Sequence, residues 1–173
     1  KSRFKAYAFL LMGCFFHMGF IAEAQASQIL VAVASNFHSP LKEIARQFEK
    51  ETGNEVQISP GSTGKLYAQI IHGAPYELFL AADSRRPQLL EEQGQTLSGT
   101  RFTYALGQIT LWSPDPNAIK GDGKSTLQRK NFKHIAMANP RTAPYGMAAL
   151  QTIQKFKLWD EIRPLVVQGE NIG

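Results

Sequence analysis

The chain has 173 residues, of which 43% are hydrophobic and 19% charged, with a formal net charge of +5, and this excludes a disordered or fibrous protein. The length suffices for one domain or two small ones with a real core. Charges of both signs are scattered and form no basic stripe, so nucleic-acid binding has no support.

In chain order, Lys1, Arg3 and Lys5 precede the apolar stretch "AYAFLLMGCFFHMGFIA", and "AQA" at 24–26 places small residues at the −3 and −1 positions before Ser27. Residues 1–26 are therefore expected to be a secretory signal peptide cleaved after Ala26. A transmembrane anchor competes with this reading, but the run is short and interrupted by His17. "LMGC" offers lipoprotein processing at Cys14, against which the apolar stretch continues beyond it. Cleavage removes three basic residues and one acidic residue, leaving +3, and it removes the only cysteine. A mature protein without disulfides that relies on its core suits a bacterial periplasm.

"QILVAVA" (28–34) predicts a buried strand. "SPLKEIARQFEKETG" predicts a helix with Ser39 as N-cap, Pro40 in the first helical position and Gly53 as the stop. Leu41, Ile44, Ala45 and Phe48 share one face of it. A strand at 55–59, a helix at 63–73, a strand at 77–82 and a helix at 84–93 with Pro87 in its first turn follow. Alternating strands and helices imply α/β architecture with a parallel, doubly wound sheet. "FTYALGQITLW" (102–112) is read as a crossing from one lobe into another, and "SPDPNAIKGDGK" as loop. "HIAMAN", "PYGMAALQTIQKF" and "RPLVVQ" then predict strand, helix and strand, and "GENIG" (169–173) the start of a further helix. The last strand has no helix after it, which predicts a fragment with an incomplete second lobe.

"GSTGKLYAQI" (61–70) resembles a phosphate-binding loop but separates Gly61 from Gly64 by only two residues and has Leu66 where a metal-binding hydroxyl belongs. A nucleotide is excluded; another anion is not. Hydroxyl-bearing turns between strand and helix offer free backbone N–H groups and the positive end of a helix dipole. Ser62 and Thr63 occupy one such turn, Ser35 and Asn36 a second, and "NPRTAPYG" (139–146) a third. In open α/β sheets ligands bind at that edge. His38, His72 and His134 lack metal-ligand spacing. No G-x-S-x-G elbow is present, Asp83 reads as a cap on the following helix, Lys65 as a solvated lysine, and Tyr67 and Phe79 as core aromatics.

The order "VAVASNF", "GSTGKLYAQI", "GAPYELFLAAD", "YALGQITLWSP", "NPRTAPYGMAAL" and "GENI" resembles the periplasmic molybdate-binding proteins of ABC transporters, from about residue 28 to the last. The resemblance implies a type II periplasmic binding protein with a first lobe at 27–107 and an incomplete second lobe at 108–173. It implies a monomer that closes around molybdate or tungstate and delivers it to a membrane permease. No cofactor, cation or catalysis is implied, because neutral hydroxyls and backbone N–H groups hold the anion. Carried over by position, the ligand residues are Ser35, Asn36 through its backbone N–H, Ser62 or Thr63, Tyr145 and Ile172 through their backbone N–H groups. A sulfate or phosphate receptor, and an exported enzyme acting on a phosphorylated or sulfated substrate, are the alternatives.

Overall fold

A computed structural model describes residues 27–173. The expected signal peptide and Cys14 lie outside the described residues.

The described residues form five strands and six α-helices. In order they are β1 (Gln28–Ala34), α1 (His38–Thr52), β2 (Glu55–Gly61), α2 (Thr63–Ile71), β3 (Leu78–Leu80), α3 (Arg85–Glu92), α4 (Gly123–Arg129), β4 (Ile135–Ala138), α5 (Pro144–Lys155), α6 (Trp159–Ile162) and β5 (Val166–Gly169). β1 lies between β2 and β3 in one parallel sheet, and β4 pairs with β5 in a second parallel sheet. A central parallel strand is covered on both faces, which is why β1 is a continuous apolar run and not an alternating one. Val31, Ala32, Val33 and Ala34 are all buried.

Each sheet has its own core. Val31, Val33 and Leu41 anchor the first, with Ile29, Phe37, Val56, Ile58 and Leu80 against them. Leu127, Ile153, Leu158 and Ile162 anchor the second, with Ile135, Phe156, Trp159 and Val166. The segment at 102–112 links the two: Tyr104 donates its hydroxyl proton to the Ala81 carbonyl (2.9 Å), and Leu111 packs on the second core. It forms no strand, because an apolar run makes a ladder only where a partner strand lies beside it.

Local chemistry moves several boundaries. Residues Ser35–Phe37 form a 3-10 turn, so α1 begins at His38; Ser39 lies inside the helix and Pro40 remains in its first turn, where no N–H is needed. Gly53 ends α1 as expected, in the left-handed conformation (φ 75°) with its N–H on the Glu49 carbonyl. β2 runs on through Pro60, which an outer strand tolerates. α4 forms in part from the stretch read as loop, because the Asp122 carboxylate accepts the Ser125 N–H (2.6 Å) as an N-cap. That bond holds the Asp122 carboxyl below its ordinary range. Residues 169–173 start no helix; Asn171 Oδ1 instead accepts the Gly173 N–H (2.9 Å) and turns the backbone there.

Candidate functional site

Parallel register builds the site. Ala34 of β1 stands opposite Gly61 of β2, so the residues that follow, Ser35 and Ser62, leave the sheet side by side at its carboxyl edge. In the second sheet Ala138 stands opposite Gly169, and the Asn139 N–H donates to the Gly169 carbonyl (2.8 Å). The turns that follow β1, β2 and β4 meet one another in space.

The meeting is made by polar contacts across the two units. The Gly64 N–H, in the first turn of α2, donates to the Thr142 carbonyl (2.8 Å) just ahead of α5. Asn36 Nδ2 donates to Tyr145 Oη at 3.4 Å. Gly173 lies over Ser35, since a Cβ placed on it would stand 3.0 Å from Ser35 Cβ. Lys65 Nζ pairs with Glu170 Oε2 at 2.7 Å, both side chains about half exposed (53% and 52%). Lys65 is thus solvated as expected, and also paired across the two units.

The two candidate hydroxyls of the second turn differ in role. Ser62 is the N-cap residue of α2 in position but makes no side-chain cap, and its Oγ is buried without a hydrogen-bond partner among the described residues. Thr63 is wholly buried, and its Oγ1 accepts the Ala82 N–H (3.0 Å), tying α2 to the end of β3. A buried hydroxyl without a partner costs about 1–3 kcal/mol. Thr142 Oγ1, from the facing turn, is the second such atom.

Tyr145 is the second residue of α5, where helix geometry leaves the backbone N–H without an intrahelical acceptor. Its ring lies on Gly107, where any side chain would collide with the Tyr145 hydroxyl. Phe37 meets Tyr104 edge-on (centroids 4.9 Å apart), and burial followed by the nearby Tyr145 pushes the Tyr104 hydroxyl up, so it stays a donor. Ile172 is 53% exposed. A groove of about 1190 Å³ runs along β3 and residues 100–107, with Asn36 and Tyr145 among its walls. Ser35 and Ser62 are not part of its wall.

Asp83 caps α3 as expected, accepting the Arg86 N–H on Oδ1 (2.9 Å), and its other oxygen binds the Arg86 guanidinium. Among the described residues no group of three His, Cys, Asp or Glu side chains could hold a metal ion. Sequence reasoning missed Thr142 and Arg86. A hydroxyl directly before "AP" was a signal for the first; nothing local pointed to the second.

Comparison with known proteins agrees with this architecture. Residues 29–173 match the family model described as bacterial extracellular solute-binding protein. The chain is 49% identical to the molybdate-binding protein ModA of Azotobacter vinelandii over 87% of its own length and 59% of the relative's. It is 41% identical to the ModA of Rhodobacter capsulatus, over 90% of this chain and 61% of that one. The solved structure of the Azotobacter vinelandii periplasmic molybdate-binding protein superposes with a TM-score of 0.79 at 42% identity, covering 83% of this chain and 62% of that one. The chain thus spans about three fifths of the length of these relatives. It belongs to the bacterial extracellular solute-binding protein family, with the two-lobed α/β fold of its periplasmic members.

Proposed function

We propose that the chain is the substrate-binding part of an ABC importer that takes molybdate, and tungstate as its close analogue, between lobes 27–107 and 108–173. It works in the periplasm as a monomer, without cofactor, nucleic acid or catalysis, and hands its cargo to a membrane permease. The relatives named as molybdate-binding supply the choice of anion. The observation that carries the binding role is the buried, unpartnered Ser62 hydroxyl beside the starts of α2 and α5. We assign the anion contacts to the hydroxyls of Ser35 and Ser62 and to the backbone N–H groups of Asn36, Tyr145 and Ile172, with Thr63 supporting the turn.

Neutral donors suit a dianion because short hydrogen bonds and helix dipoles spread its charge. Selection among tetrahedral dianions then rests on size, molybdate being larger than sulfate. An enzyme using Ser62 as nucleophile is disfavoured: activation needs a base within hydrogen-bond reach, and among the described residues Ser62 Oγ has no partner.

Ser35→Ala should weaken molybdate binding roughly ten- to a hundredfold, the loss of one hydrogen bond to a charged group, about 1.5–3 kcal/mol. Lys65→Ala should change it less than about fivefold, since an exposed ion pair contributes at most about 1 kcal/mol. Calorimetric titration of both variants checks the ranking. A larger loss for Lys65→Ala would mean that the lysine, and not the hydroxyls, holds the anion.

A further inference from the structure

Ser62 Oγ and Thr142 Oγ1 are the two buried side-chain polar atoms without a hydrogen-bond partner among the described residues, and each lobe supplies one. The turns that carry them touch. The Gly64 N–H, two residues beyond Ser62, donates to the Thr142 carbonyl at 2.8 Å, and a Cβ on Gly64 would stand 3.0 Å from Thr142 Cα.

The other polar groups of the 139–142 turn have partners. The Asn139 N–H donates to the Gly169 carbonyl (2.8 Å), the Arg141 N–H to Asn139 Oδ1 (2.9 Å) and the Thr142 N–H to the Asn139 carbonyl (3.2 Å). Pro140 has no N–H to satisfy. The Arg141 carbonyl accepts from Arg86 Nη2 (3.1 Å), and the Thr142 carbonyl from Gly64. The backbone thus fixes the turn and leaves one buried donor unused, the Thr142 hydroxyl. A threonine that served only local structure would bond a nearby carbonyl, as Thr152 does with that of Ala148 (2.8 Å). Burying a hydroxyl unpaired is unfavourable, so its acceptor is to be sought outside the turn.

We propose that Thr142 is a further anion ligand: its hydroxyl donates to the bound oxyanion from the second lobe, opposite Ser62 on the first. This rests on the oxyanion reading of the same cleft, and it adds a side-chain donor to a lobe otherwise assigned only backbone N–H groups. Closure of the lobes around the anion brings the hydroxyl to it, so the bond ties the lobes together in the bound state. A contact completed only on closure slows release and leaves the first encounter unchanged.

Thr142→Val keeps the shape of the side chain and removes the donor. Calorimetry should show molybdate bound about tenfold more weakly, the loss of one hydrogen bond to a charged acceptor. Stopped-flow kinetics should place that loss in faster dissociation. Thr142→Ser keeps the hydroxyl and should bind within about threefold of the unaltered protein. Both variants should unfold within about 3 °C of it in buffer without molybdate. Should Thr142→Val not fold, Thr142→Ala carries the same expectation. Unchanged affinity in Thr142→Val overturns the assignment. So does an equal loss in Thr142→Val and Thr142→Ser, which would mean that the methyl group matters and the hydroxyl does not. An unaltered protein that binds no molybdate brings down the oxyanion reading and Thr142 with it. A protein that binds molybdate, weakens with Ser35→Ala and is indifferent to Thr142→Val loses only Thr142 from its site.

Discussion

Replacing Ser62 by alanine should lower molybdate affinity roughly ten- to a hundredfold while the ligand-free protein becomes no less stable, and even more stable. The opposite signs follow from one atom. Among the described residues Ser62 Oγ is buried with no hydrogen-bond partner. Removing such a group relieves a penalty of about 1–3 kcal/mol. On the proposed assignment the same hydroxyl donates to the bound anion, a charged acceptor, and its loss costs about 1.5–3 kcal/mol. Thr63→Ala should behave in the reverse way, because its Oγ1 accepts the Ala82 N–H and its side chain is fully buried. That variant leaves a part-buried N–H without acceptor and opens a small void in place of a fully buried side chain, so the protein should lose about 1–3 kcal/mol. Thermal unfolding and calorimetry on both variants read the two signs. A stable Thr63→Ala protein that binds worse than Ser62→Ala would reassign the ligand hydroxyl to Thr63.

The second large effect belongs to Gly146. It is the third residue of α5, and a Cβ there would overlap the Ala138 carbonyl oxygen, with Ala138 C at 2.6 Å and Asn139 C at 2.9 Å. These are backbone atoms at the end of β4, fixed by the pairing with β5 and by the Asn139–Gly169 hydrogen bond. No rotamer change relieves the overlap. In Gly146→Ala, α5 must therefore slide off β4, drawing Ile153 out of the second core and Tyr145 away from Asn36. Overpacking costs typically 1–3 kcal/mol, and an unyielding backbone contact belongs at the upper end, about 3 kcal/mol. Thermal unfolding should show a loss of roughly 6–12 °C for a protein of this size. Gly123→Ala is the control: its Cβ would meet only Leu111 Cβ at 3.9 Å, ordinary contact, so stability should hold within about 0.5 kcal/mol. Equal unfolding temperatures for the two variants would show that α5 does not need glycine at that contact.

How much was legible in the sequence depends on whether a signal was local. The β-branched run of β1 and the turn residues after it were enough to place Ser35 and Ser62 at one sheet edge, because parallel register follows from strand order and hydrophobic pattern. Choosing between Ser62 and Thr63 was not possible from residue types, since both are hydroxyls at a helix start. Only the fold of α2 onto β3 turns Thr63 toward Ala82 and leaves Ser62 unpaired. α4 was missed because "GKSTLQR" carries no apolar stripe, although Asp122 and Ser125 three residues apart formed a cap signal. Arg86 could not be read at all, because its carbonyl partner lies 55 residues further along the chain. The helix expected at "GENIG" rested on a turn-like composition that an Asn-centred turn satisfies equally well.

Parallel calorimetric titrations of the purified protein with molybdate and with sulfate test the account most directly. Uncharged donors give no charge-based preference between two dianions, so discrimination must come from a cleft sized for the larger ion. Molybdate should bind at least a hundredfold more tightly than sulfate, about 2.7 kcal/mol. Equal affinity for the two anions would contradict the molybdate reading.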